Sequence, residues 1–107
     1  MIVVSDTSPL NYLVLMGAID VLPKLFGEVY VPLAVIQELQ HPRTPEPVKQ
    51  WAQSPPEWLR IREPSAETSN AAGLDPGEAQ AIALAIEIHA DAVLIDEKLG
   101  RRIAKSQ

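Results

Sequence analysis

Hydrophobic positions in this chain fall into short β-branched runs separated by longer stretches with helical spacing. Residues 2–5, IVVS, form such a run, end at Asp6 and read as a buried strand. Ser8-Pro9 pairs a capping residue with a proline at the first helical position, so a helix is expected over the apolar stretch that reaches Met16 and stops at Gly17. A second helical piece covers residues 18–26, with Asp20 as a first-turn acid, Pro23 confining or bending its start and Gly27 capping its end. EVYV at 28–31 reads as the second strand. Pro32 then opens a short helix through Gln40, whose apolar stripe includes Val35, Ile36 and Leu39.

Residues 42–64 hold six of the ten prolines and form the irregular part, with one helix over residues 47–53. WLRIR at 58–62 alternates apolar and polar positions and suits an edge or half-exposed strand. Residues 65–74 are small and polar, hence a loop. A strong helix is predicted over 76–89, with Ile82 and Ile86 as its buried stripe. A strand follows at 92–95, AVLI, and a basic helix over 97–106. The order strand, helices, strand, helix, strand, helix, strand, helix indicates an α/β fold with a mainly parallel sheet of at least four strands. No repeat of fixed period and no low-complexity tract interrupts it.

At 107 residues the chain fits one domain, 1–107, and its 47% hydrophobic content supports a real core. No apolar run approaches the ~20 residues of a membrane span, and the start lacks the basic region of a signal peptide. With no cysteine, disulfides and thiolate metal sites are excluded and a cytoplasmic location is expected. The net charge of −5 argues against a nucleic-acid partner. Its distribution qualifies that. Lys98, Arg101, Arg102 and Lys105, four of the nine Lys and Arg residues, crowd the last ten positions and could guide a phosphate backbone.

In an open parallel sheet, ligands bind beyond the carboxyl ends of the strands, near the switch in strand order. Two strands here end in an aspartate, Asp6 and Asp96, and as neighbours they would bring both carboxylates to one rim. Helices that follow strands begin on that rim. Glu78, in the first turn of its helix and four residues before Ile82, is placed beside the buried stripe. Glu38 lies at the margin of an apolar stripe near the end of its helix, and its placement depends on how that helix leans. Carboxylates gathered in one pocket repel one another without a cation, which points to Mg²⁺ or Mn²⁺, with Asp6, Glu78 and Asp96 as the expected metal ligands.

Each acid also has a structural explanation. Asp75-Pro76-Gly77-Glu78 resembles a capping box, Asp96 can cap the final helix, Asp6 can cap the turn at Thr7-Ser8-Pro9, and Glu38 can simply be solvated. His41 and His89 read as structural. Trp51 and Trp58 flank the Pro-rich segment and could stack on bases, but packing is the plainer reading. The case for a site is the joint pattern, since the topology sends all four acids toward a common rim.

Asp6-Thr7-Ser8-Pro9-Leu10, Val35-Ile36-Gln37-Glu38-Leu39, Gly77-Glu78-Ala79-Gln80-Ala81-Ile82 and Leu94-Ile95-Asp96-Glu97 together resemble the PIN-domain nucleases, in particular the VapC-like toxin branch. The resemblance runs from residue 2 to about 105 and implies a three-layer α/β/α fold. It also implies a Mg²⁺- or Mn²⁺-dependent endoribonuclease, often the toxin of a toxin–antitoxin pair. By that resemblance Asp6, Glu38, Glu78 and Asp96 are the catalytic acids, Thr7 or Ser8 sits beside them, and Glu97 supports or substitutes for Asp96. The implied partners are RNA, a small antitoxin protein and a second copy in a homodimer. Relatives continue past the basic helix with another strand and at least one more helix. This chain is therefore expected to lack them and to expose an edge that favours dimerisation.

The competing readings are a shortened, catalytically impaired binding or dimerisation module, and phosphoryl chemistry on an aspartate as in receiver domains or haloacid-dehalogenase-type phosphatases. The latter fails on residues. Leu59-Arg60-Ile61-Arg62-Glu63 supplies no aspartate after the third strand, and Ser8 stands where the phosphatases need a second aspartate.

Overall fold

A computed structural model describes residues 1–65 and 76–95, with Pro76 described by its backbone alone. In chain order the elements are β1 (Val3–Ser5), α1 (Thr7–Leu15), α2 (Val21–Phe26), β2 (Val29–Val31), α3 (Leu33–Leu39), α4 (Glu46–Gln53), β3 (Leu59–Ile61), α5 (Pro76–Glu87) and β4 (Ala92–Leu94). The four strands form one sheet in the order β3-β2-β1-β4. Every pairing is parallel: Val3 stands beside Val29 and Ala92, and Val29 beside Leu59. The α/β class and the parallel sheet expected from the sequence are therefore observed.

Register decides which side chains share a face. Val4, Tyr30 and Val93 align across the sheet and pack with Ala81, Leu84 and Ala85 of α5. One residue away along the strands, Val29, Val31 and Leu59 face the other way. They pack with Leu10, Leu22, Val35, Ile36, Leu39 and Val48 from the first four helices. Alternation along short β-branched strands thus yields two cores, one on each side of the sheet. Fully burying each Val or Leu in them contributes about 1.5–3 kcal/mol before chain entropy is charged against it.

Local starts differ from the sequence expectation in instructive ways. The α1 helix begins at Thr7 with Asp6 at the N-cap position, so Ser8 lies inside the first turn and is not the cap. Pro9 is tolerated there because first-turn amides have no helical acceptor to lose. The α2 helix begins at Val21, so Pro23 falls in its first turn for the same reason. In α5 the buried side chains are Ala79, Ala81, Leu84 and Ala85, whereas Ile86 is 55% exposed. The stripe expected through Ile82 and Ile86 is displaced by one residue, because the small alanines let α5 lie close on Val4.

Among the described strands β3 lies at the edge, as its alternating sequence suggests: Leu59 is buried and Arg60 is exposed and pairs with Glu28 at 2.7 Å, but Ile61, the other apolar position, is 47% exposed. Trp51 and Trp58 pack against each other with ring centroids 6.2 Å apart and lean on the larger core, which supports packing over base stacking. Among the described residues no helix is long and apolar enough to cross a membrane. The basic helix expected over 97–106 and the loop over 66–74 lie outside the described residues, as does the proposed cap Asp75.

Candidate active site

The strand order contains one reversal. From β1 the sheet grows outward to β2 and then β3, and the chain next crosses back to place β4 on the other side of β1. The carboxyl ends of β1 and β4 therefore flank the switch point, where α/β sheets open a crevice. The Asp6 amide donates to the Leu94 carbonyl at 2.8 Å, which fastens the end of β1 to the end of β4. Ser5 is fully buried just before it, and its hydroxyl donates to the Asp6 carbonyl at 2.9 Å.

Asp6 is only 1% exposed. Its backbone is extended at the helix N-cap position, yet its carboxylate makes no cap hydrogen bond to α1. The capping explanation for this residue therefore fails. A buried carboxylate is costly unless another group offsets its charge.

Glu38 reaches the same place from the last turn of α3. The Thr7 hydroxyl donates to Glu38 Oε2, bridging the first turn of α1 to α3. Gly77, at the start of α5, completes the convergence. A β-carbon there would collide with Glu38 Oε2 and lie 3.0 Å from Asp6 Oδ1. Two carboxylates, one from β1 and one from α3, thus close on a single bare stretch of backbone at the mouth of α5. Only a residue without a side chain leaves room for both. Glu78 follows directly, half-buried in the first turn of α5 and three residues before the buried Ala81.

A family model for the PIN domain matches residues 2–107. The chain belongs to the PIN-domain family. No curated protein and no solved structure matches it. PIN domains are generally nucleases that act on RNA and use divalent metals, so membership suggests nuclease activity.

The PIN-domain chain has a donor set that suits such an ion. Buried and half-buried carboxylate oxygens, with no thiolate in the sequence, favour a hard cation of the Mg²⁺ type. Among the described residues, no three acids or histidines are grouped tightly enough to hold a metal by themselves. Asp6 and Glu38 meet at Gly77, and Glu78 is the next residue in α5. Asp96 and Glu97, with the basic residues Lys98, Arg101, Arg102 and Lys105, lie outside the described residues.

Three features at the site escaped sequence reasoning. Gly77 carries a signal in retrospect, since glycine in a first turn sacrifices helix propensity and so needs a packing reason. Asn11 and Arg43 carry none: one follows a proline in an ordinary apolar helix and the other sits in a Pro-rich turn. Both line a groove of about 250 Å³ beside Thr7, Ser8 and Glu38.

Proposed function

We propose that this PIN domain is a divalent-metal-dependent endoribonuclease, the toxin of a toxin–antitoxin pair. In this reading Asp6, Glu38, Glu78 and Asp96 are its catalytic acids. The observation that carries the reading is the meeting of the buried Asp6 carboxylate with Glu38 at Gly77, over the β1/β4 switch point of a PIN-family chain.

Asp6, Glu78 and Asp96 would hold the Mg²⁺ or Mn²⁺ ion. When bound, the ion would polarise a phosphodiester and acidify water. The chain's own contributions follow from its contacts. Ser5 and the Leu94 carbonyl fix the backbone of Asp6, so its carboxylate is presented by two strands at once. The Thr7 hydroxyl orients Glu38, which leaves the other carboxylate oxygen of Glu38 to accept a proton or a water hydrogen bond. Ser8 and Glu97 are supporting polar groups. Lys98, Arg101, Arg102 and Lys105 are assigned to the RNA backbone, which the acidic balance elsewhere would otherwise repel.

A small antitoxin protein and a second copy of the chain are the proposed protein partners. The family resemblance supports them, and so does an apolar surface on α1 and α2 where Tyr12, Leu15, Met16 and Leu25 are each half or more exposed. Titration of purified protein with Mn²⁺ in the presence of RNA tests the assignment. Metal-dependent cleavage at internal positions is the expected result. A folded protein that neither binds the ion nor cuts RNA would instead be the impaired binding module.

A further inference from the structure

The groove of about 250 Å³ lies between the first turns of α1 and the turn joining α3 to α4, and Thr7, Ser8, Asn11, Glu38, Arg43 and Thr44 contribute to its walls. It shares Thr7 and Glu38 with the candidate active site, so the two are continuous. The α3–α4 turn is firmly built. The His41 amide and the Thr44 hydroxyl both donate to the Glu38 carbonyl, at 3.1 and 3.0 Å, and the Thr44 amide donates to the His41 carbonyl at 2.9 Å. The Arg43 amide donates to His41 Nδ1 at 3.1 Å. With Nδ1 accepting, Nε2 is the ring nitrogen left to donate to a ligand.

Two other cations among the described residues are occupied, whereas Lys24 and Arg62, which lie away from the groove lining, make no ion pair there. Arg60 is paired with Glu28 and Lys49 with Glu46. Arg43 is exposed, makes no ion pair among the described residues, and is held within one turn of Glu38 by the hydrogen bonds just given. The groove thus combines a guanidinium, a histidine, an amide and three hydroxyls with a single carboxylate at the end nearest the acids; the Thr7 and Thr44 hydroxyls already donate to Glu38, which leaves the Ser8 hydroxyl, Asn11, His41 and Arg43 as donors toward a ligand. Donors grouped around one guanidinium, whose backbone is held by the turn, suit a phosphodiester oxygen pair, which a guanidinium can meet with two parallel hydrogen bonds.

We propose that this groove binds the backbone phosphate next to the one cut, on a single strand of RNA, with Arg43 as its principal cation and His41, Ser8 and Asn11 as further donors. The strand would leave the acids along α1 and over the α3–α4 turn. The identity of the strand rests on the nuclease reading; the anion-binding character of the groove does not.

Binding of a fluorescent single-stranded RNA oligonucleotide to the full chain, measured by anisotropy in chelator over a range of NaCl, tests the proposal without cleavage. Arg43→Ala should weaken binding about tenfold and lower the slope of log affinity against log salt by about 0.7, the value for one phosphate contact on a single strand. Arg43→Lys should keep the salt slope while losing part of the affinity. Lys24→Ala removes the same charge from the exposed side of α2 and should leave both quantities near wild type. Equal affinity and slope for Arg43→Ala and wild type overturn the proposal, as does a wild-type chain that binds no RNA. If the wild-type chain with Mn²⁺ fails to cut the oligonucleotide while the Arg43 effect persists, the groove stands and the nuclease reading falls.

Discussion

Gly77 lies against the carboxylate of Glu38 so closely that no β-carbon fits between them, and Asp6 Oδ1 is 3.0 Å from the same point. Gly77→Ala would push Glu38 aside, because the obstructing atoms are the far end of a flexible side chain. The fold should survive, since alanine is favoured over glycine by about 1 kcal/mol inside a helix, which offsets part of the crowding. Cleavage should fall by about 10- to 100-fold, the scale on which displaced catalytic groups lose rate. Circular dichroism and RNA cleavage rates measured side by side check this, and an alanine variant with full activity would refute the crowding argument.

Asp6→Asn keeps the shape of the most buried acid and removes its charge. Cleavage should drop by at least about 100-fold, since even outer-shell changes at metal sites cost 10- to 100-fold. In chelator the variant should melt at or above the wild-type temperature, because one of two adjacent carboxylates no longer needs to ionise in a buried place. A variant that keeps metal-dependent activity places the site elsewhere.

Thr7 acts through Glu38. Thr7→Val is nearly isosteric but cannot donate to Oε2, and it should lower cleavage about 10-fold or more while the melting temperature changes little. Thr7→Ser restores a donor and should recover most of the rate. Equal losses in the valine and serine variants would show that the methyl group matters and the hydrogen bond does not.

Metal should stabilise the chain by an amount that grows with the logarithm of its concentration over the dissociation constant. At a free Mn²⁺ concentration ten times the dissociation constant, linkage predicts about 1.4 kcal/mol of added stability, and chelator should reverse it. Calorimetry with and without Mn²⁺, on wild type and Asp6→Asn, reads the effect. The shift should shrink in the variant.

Glu87 offers a pH test far from the acids. The Ser65 hydroxyl donates to Glu87 Oε1, and the Ser65 amide does so at 2.8 Å; together they hold the carboxyl below the usual carboxylate range. A lowered folded-state pKa means that the contact stabilises the fold above the unfolded value of about 4.3 and is lost as pH falls through the lower folded value. Glu87→Gln should therefore melt slightly below wild type at pH 7, and the gap should close under acid conditions. A gap independent of pH would assign the loss to something other than the ionised contact.

The parts of the molecule that could be read from sequence are those governed by short-range rules. Valine-rich strands ending in Asp6 and before residue 96 announced a parallel sheet and its rim, and β1 and β4 are indeed neighbours. Glu38 could not be placed from its spacing, because its reach depends on how α3 leans toward Thr7 and α5, a matter of packing between distant elements. The buried stripe of α5 was misjudged for a related reason. Large Ile82 and Ile86 look like core, yet the sheet accepts the flatter Ala81–Ala85 surface. Arg43 sits in a turn with no periodicity, where only the fold shows which side chains share a groove.

The pairing of β1 with β4 joins Ile2 to Asp91, 89 positions later in sequence. During synthesis, the first strand must therefore wait until β4 is made before its second neighbour exists. At roughly 5–20 residues per second that wait lasts several seconds. A long loop must close before the contacts at the switch point can form, which makes this one of the slower steps in folding. The consequence is temporal. Asp6 is made early, yet Gly77 and Leu94, which close on it, are made much later. The surroundings of Asp6 cannot assemble until β4 has been made.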